Sequence, residues 1–150
     1  MSRTLGVSCS PAGAFFALLV GGAAQARPER LLWPVGETSE RLAVVQDQIA
    51  DLLDEFNVER VAILLPERDP RHKWIYETAA TRASMETLIR LTAVRAKILI
   101  DMINRETVRS RLKVVGKLDL HLDSFVAPVG TYWRTGRGEA ALAALAADRA

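Results

Sequence analysis

The stretch TLGVSCSPAGAFFALLVGGAAQA, residues 4–26, constrains this chain more than any other, because it has two incompatible readings. As a secretory leader, Arg3 supplies a positive start, residues 14–24 are nearly all apolar, and Ala24-Gln25-Ala26 fits the small-x-small cleavage pattern. As a β-hairpin, Leu5 and Val7 alternate with Gly6 and Ser8, as on a strand with one buried face. AFFALLV then has the length and the aromatic and branched content of a buried strand. Between them, Ser10-Pro11-Ala12-Gly13 is turn chemistry, since proline fixes φ and glycine permits positive φ. The polar insert at 8–11 interrupts the apolar run that a leader needs, which favours the hairpin.

A length of 150 residues fits one domain with a real core, and an apolar fraction of 49% is ordinary for a globular chain. No apolar run approaches the roughly 20 residues that span a bilayer. The single cysteine, Cys9, rules out an internal disulfide and a cysteine-based zinc cluster, and fits a reducing cytoplasm. The net charge of +2 hides an asymmetry. Residues 1–67 carry five Lys/Arg against nine Asp/Glu, residues 68–117 carry twelve against five, and the remainder carries three against four. Positive charge is concentrated in the middle third.

After the hairpin, RLLWPV (30–35) reads as a third strand, with Pro34 placing it at an edge or a strand end. ETSERLAVVQDQIADLLDEFN is a helix, with Leu42, Val45, Ile49, Leu52, Leu53 and Phe56 at three- and four-residue spacing and Thr38 or Ser39 as its cap. VERVAILLP (58–66) is a continuous apolar strand of the kind buried on both faces. A polar loop, ERDPRHKW, leads to a second long helix over 75–96, with Ala79, Met85, Leu88, Ile89, Leu91 and Val94 apolar. KILIDMI is a fifth strand, Asn104 caps a short helix that Gly116 ends, and 117–136 reads as a loop or flap. Gly138 precedes a last helix favoured by its alanine content.

Three strands in a meander followed by strands reached through helices predict an α/β fold with a five-stranded mixed sheet, the fourth and fifth strands parallel to the first. TLGVSCSPAGAFFALL, VERVAILLPE and GRGEAALAALAA fall where the ribonuclease H-like superfamily has its first hairpin, fourth strand and last helix. The chain resembles that superfamily over almost its whole length, and within it is most similar to RuvC-type Holliday junction resolvases. The resemblance implies that residues 4–26 are the central hairpin rather than a leader.

Such nucleases clamp a phosphodiester between two divalent metals about 4 Å apart, held by carboxylates. Magnesium demands hard oxygen ligands, which hydroxyl and apolar side chains do not replace. The resemblance puts one Asp in the first strand, a Glu at the end of the fourth and one or two acids on the last helix. Here Ser8 stands where the family reads Gly-Ile-Asp-Pro-Gly, and Leu64 or Leu65 stands at the end of the fourth strand, with Glu67 beyond Pro66. Glu139 is in register on the last helix, Leu142 follows one turn on, and Asp148 is two further turns away. Ser8, Glu67 and Glu139 are therefore vestigial candidates rather than a working set, and no metal ligands are assigned; magnesium enters only if the nuclease reading holds. Glu139 also reads simply as an acid in a helix's first turn.

Other chemistries find less. His72 and His121 have no ligand-spaced partner, no phosphate-binding glycine loop is present, and SCSPAG offers Cys9 or Ser10 as a nucleophile without an identifiable base. Actin-like ATPases share the core fold but need a second such domain.

The basic third offers a different function. Arg68, Arg71, His72, Lys73, Trp74 and Tyr76 set cations beside aromatics, the mixture that meets phosphates and stacks on bases. Arg105, Arg109 and Lys113 fall four apart on the short helix, with Arg111 and Lys117 nearby. Tyr132, Trp133, Arg134 and Arg137 precede the last helix. By resemblance, the loop after the fourth strand and the start of the last helix border the cleft where nucleic acid lies; by residue type alone, these are also ordinary solvated arginines. The expectation is a nucleic-acid-binding domain, for DNA ahead of RNA, that has lost nuclease activity. The alternatives are a protein-interaction subunit, as a homodimer through the helix over 75–96, and a magnesium-dependent endonuclease.

Overall fold

The computed structural model describes residues 1–36, 39–67 and 76–150. The opening hairpin forms: β1 (Arg3–Ser10) and β2 (Gly13–Val20) pair antiparallel along their whole length, from Arg3 opposite Val20 to Ser10 opposite Gly13. The turn is built as its residues dictate, with Gly13 at φ +148° and the Ser10 hydroxyl accepting from the Ala12 amide. Two short strands, β3 (Ala23–Ala24) and β4 (Arg30–Leu32), both pair with β2, and β4 ends before Pro34 as its missing amide hydrogen requires. Ala24, a residue of the apparent cleavage pattern, lies opposite Leu19 in the sheet. Removing residues 1–26 would take out the sheet's middle.

Helix α1 (Ser39–Glu55) buries Val45, Ile49 and Leu53 at helical spacing and leads to β5 (Arg60–Leu64), which runs parallel to β1. Ser39 is the helix's first residue, and Thr38 lies outside the described residues. Helix α2 (Tyr76–Arg95) leads to β6 (Leu99–Ile103), parallel to β5. The order across the sheet is β3-β2-β1-β5-β6, so β1 is interior and flanked by β2 and β5. Among the described residues the sheet has six strands rather than five, because the brief β3 pairing at 23–24 carries no apolar pattern of its own.

Period-two alternation divides the core between the two faces of the sheet. Leu5, Val7 and Cys9 of β1, with Phe16, Leu18, Val61 and Ile63, pack against Val45, Ile49 and Leu53 of α1 and Met85, Ile89 and Ala93 of α2. Contrary to the apolar pattern read for this second helix, Leu91 and Val94 face solvent. On the other face, Ala17, Leu19 and Leu64 pack under α3 (Arg105–Leu112) and α4 (Gly138–Asp148). Helix α3 starts as expected, the Asn104 side chain accepting from the Thr107 amide at 2.7 Å. It stops earlier than Gly116, at Lys113, which takes the left-handed conformation (φ 58°).

Helix α4 is buried from Ala140 through Ala147. Its alanines act through size more than through helix propensity. At Gly6 of β1 a Cβ would lie 1.8 Å from the Ala140 carbonyl oxygen, so helix backbone rests directly on strand backbone. The far end is tied by the Thr4 hydroxyl donating to Asp148 Oδ1 at 2.6 Å. Helix α4 therefore runs antiparallel to β1 and begins over the strand's carboxyl end. Residues 117–136 are no flap: Leu118, Leu122, Val126 and Trp133 are all buried against α4. No helix among the described residues is long and apolar enough to cross a membrane.

Candidate nucleic-acid interface

The carboxyl ends of β1, β5 and β6 and the first turns of α3 and α4 meet at one end of the sheet. Ser8 shares the α4-facing side of β1 with Gly6, two residues back, and lies between Phe15 of β2 and Leu64 of β5 in the pairing register. Leu64 and Leu142 belong to the same buried cluster. Chain direction sets the rest: β5 ends at Leu64, the Leu65 amide donates to the Ile103 carbonyl, and β6 passes straight into Asn104 and α3.

Two ion pairs occupy this end. Arg105 Nη1, from the first residue of α3, lies 2.9 Å from Oε2 of Glu139, in the first turn of α4; both side chains are mostly buried, at 19% and 24% exposed. One turn on, Arg109 Nη1 stands 4.0 Å from Glu67 Oε1, a looser pair whose acid is 60% exposed. The Arg105 Nε–H is buried and makes no hydrogen bond among the described residues. A surface groove of about 670 Å³, lined by Asp47, Asp54, Asn57, Thr92 and Arg95 among others, borders the start of β5 and β6, at the opposite end of the sheet.

No protein-family model matches the chain, and no curated protein matches it in sequence. Its shape is similar to that of Thermus thermophilus RuvC in complex with a Holliday junction substrate, with a TM-score of 0.74 at 15% identity over 99% of this chain and 94% of that one. Thermus thermophilus RuvC in a second structure gives 0.71 at 15% identity, over 98% and 93% of the two chains. The yeast mitochondrial Holliday junction resolvase Ydc2 gives 0.70 at 12% identity, over 99% and 78%. The fold is RuvC-type, ribonuclease H-like.

Ser8 of β1 and Leu64 of β5 stand side by side in the sheet register, and arginines surround the nearby acids. Glu67 and Glu139 are brought to the same end of the sheet, but each faces an arginine of α3. Among the described residues, no three of His, Cys, Asp and Glu come together to hold a metal. The donor set does not fit the pair of magnesium ions that the fold family implies. Magnesium takes hard oxygen ligands, whereas among the described residues Ser8 offers a hydroxyl, Leu64 and Leu142 offer none, and Glu67 and Glu139 already face guanidinium groups.

The predicted cationic surface divides into three groups. Arg68, Arg71, His72, Lys73 and Trp74 lie outside the described residues. Arg105 and Arg109 share the site-facing side of α3, while Lys113 has passed the helix end as its exposed left-handed cap. Arg134 is exposed and pairs with Asp123 at 2.6 Å. Trp133 and Arg137 are corrections. Trp133 is 3% exposed and donates through Nε1 to the Leu122 carbonyl at 3.3 Å. Arg137 is fully buried, its guanidinium donating to the carbonyls of Phe16, Val129, Gln25, Ala26 and Pro28. Neither side chain is open to solvent. A bulky indole next to an alanine-rich helix is an ordinary core residue, a signal available in the sequence; nothing local marks Arg137 as interior.

The remaining chemical candidates are structural. His121 holds the Val115 carbonyl through Nε2 at 2.7 Å. Ser10 belongs to the hairpin turn. Cys9 points to the opposite face of the sheet from Glu139, and burial, with a smaller push from Glu86 against the opposing Arg82, raises its thiol to about 12. At pH 8 only about one thiol in ten thousand is ionised, and the thiolate is the reactive form. We expect the native protein to resist a thiol-specific disulfide reagent at pH 8 and to react fully once unfolded; rapid native labelling would show that β1 opens.

Proposed function

We propose that this chain is a nucleic-acid-binding domain of RuvC type that does not cleave what it binds, with branched DNA as its leading substrate. The observation that carries this reading is the exchange of partners at the carboxyl end of the sheet. Where metals and a phosphodiester would need free carboxylates, Glu139 and Glu67 face Arg105 and Arg109. A guanidinium contacts phosphate without supplying an activated water, so the arrangement suits holding a backbone rather than hydrolysing it. The likeness to RuvC in complex with a Holliday junction supports a four-way junction as the first substrate to try.

The test uses labelled four-way-junction and linear duplex DNA at several salt concentrations, with and without magnesium or manganese. We expect binding without added metal that weakens by about 0.9 log units in affinity per log unit of salt for each phosphate contact, with no cleavage product. Metal-dependent cleavage that disappears in Glu139→Ala would overturn the reading and reinstate a nuclease. A protein-interaction role is favoured by one observation, the exposure of Leu91 (40%) and Val94 (62%), three residues apart on α2. Under that second reading DNA binding is absent even at low salt, and sedimentation shows a self-associated species.

A further inference from the structure

We infer that Arg105 and Arg109 form a phosphate clamp that Glu139 and Glu67 hold closed, so that a DNA phosphate enters by displacing carboxylates. This rests on the nucleic-acid-binding reading and specifies how binding at that site is regulated.

The geometry of the two pairs carries the argument. Arg105 and Arg109 lie one helical turn apart on α3, both well covered, with side chains 19% and 28% exposed. They are held in place over the carboxyl end of the sheet, the crevice where open α/β folds bind ligands. Neither pair satisfies its guanidinium. An arginine carries five N–H donors in a planar fork and binds an oxyanion best through two parallel hydrogen bonds. Arg105 meets Glu139 through Nη1, while its Nε–H stays buried without a hydrogen bond among the described residues. Arg109 stands 4.0 Å from Glu67, beyond hydrogen-bond distance. The carboxylates thus neutralise the arginines without using the fork. A phosphate brings several oxygens, takes Nε and Nη together, and leaves Glu67, already 60% exposed, to turn into water.

The clamp makes a prediction opposite in sign to that of a metal site. If the acids held metal for DNA binding, neutralising them would weaken binding. If they compete with phosphate for the arginines, neutralising them tightens it.

The experiment is a fluorescence-anisotropy titration of a labelled four-way DNA junction, without divalent metal, against the full chain. It compares the wild type with Glu67→Gln/Glu139→Gln, with Arg105→Ala/Arg109→Ala, and with all four changes together. The glutamine pair is expected to tighten binding by about two- to fivefold for each released arginine, the range set by partly exposed ion pairs. The alanine pair is expected to weaken binding and to lower the salt slope by about 2. With the arginines absent, the glutamines are expected to have no effect. Equal tightening in both backgrounds would mean general charge repulsion and overturn the clamp. Unchanged or weaker binding by the glutamine pair would mean that the ion pairs only brace α3 against α4, and would also overturn it while leaving DNA binding intact. A wild type that ignores the junction at low salt removes the functional reading and the clamp together. Should the alanine pair fail to fold, by circular dichroism, Arg105→Lys/Arg109→Lys replaces it. Lysine keeps the charge but loses the fork, so the clamp still requires weaker binding.

Discussion

Replacing Arg137 with methionine is expected to lower the unfolding free energy by about 3–5 kcal/mol, because several hydrogen bonds from a charged donor to backbone carbonyls are lost together. The guanidinium has no solvent exposure, and its donors are spent on backbone oxygens from three places in the chain. Nε donates to Phe16 at 2.8 Å, Nη1 to Val129 at 2.9 Å, and Nη2 to Gln25 at 3.0 Å, Ala26 at 3.3 Å and Pro28 at 3.4 Å. Burial lowers its pKa from the ordinary arginine value, and Glu29 opposes that shift. Methionine fills much of the volume but leaves the carbonyls without this donor, and each one that stays buried and unsatisfied costs about 1–3 kcal/mol. Lysine is not a rescue, because a compact ammonium with three donors cannot span the same oxygens. Urea denaturation followed by the fluorescence of the neighbouring Trp133 gives the number. A loss below about 1 kcal/mol would mean that the segment over 25–28 is held by something other than this guanidinium.

Gly6→Val is expected to prevent folding or to cost more than the about 1–3 kcal/mol of ordinary overpacking. The added Cβ would stand 1.8 Å from the Ala140 oxygen and 2.5 Å from its carbon, with the Ala144 methyl at 3.2 Å. The first two are backbone atoms of a buried helix, so no rotamer change relieves the clash; α4 must lift from the sheet. Lifting it exposes the cluster under α4, including Leu64 and Leu142, and separates Glu139 from Arg105. Even Gly6→Ala meets the same atoms, and the milder change is the sharper measurement. Denaturation midpoints within about 0.5 kcal/mol of the wild type would contradict the close approach of α4 to β1.

These two residues show where sequence reasoning reaches and where it stops. The hairpin was legible because its signals are local: alternation at Leu5 and Val7, a proline-glycine turn, and a short branched run. The strand at 60–64, the helices on either side of it and the Asn104 cap were legible for the same reason. The limits were equally physical. Lys113 ends α3 in the left-handed conformation, its amide donating to the Arg109 and Ser110 carbonyls, a conformation costly for a non-glycine residue that no residue pattern advertises. Leu91 and Val94 look like core in a one-dimensional pattern, but α2 has already buried Met85, Ile89 and Ala93 and has no further surface to cover with them.

The candidate site divides the same way. That the end of the central strands carries Ser8 and Leu64 instead of acids follows from the sequence once the strands are in register, since residue type is a local fact. That Arg105 meets Glu139 is a contact across 34 positions, and it exists because β6 delivers α3 to the point where α4 begins. By itself the sequence determined the main strands and helices, their order and the residue types at the strand ends, because propensity, periodicity and residue chemistry act within a few neighbours. Only the tertiary structure decided which arginine is sealed in the core and which stand opposite carboxylates at the end of the sheet. A guanidinium's role depends on the acceptors within about 3 Å of it, and those come from distant parts of the chain.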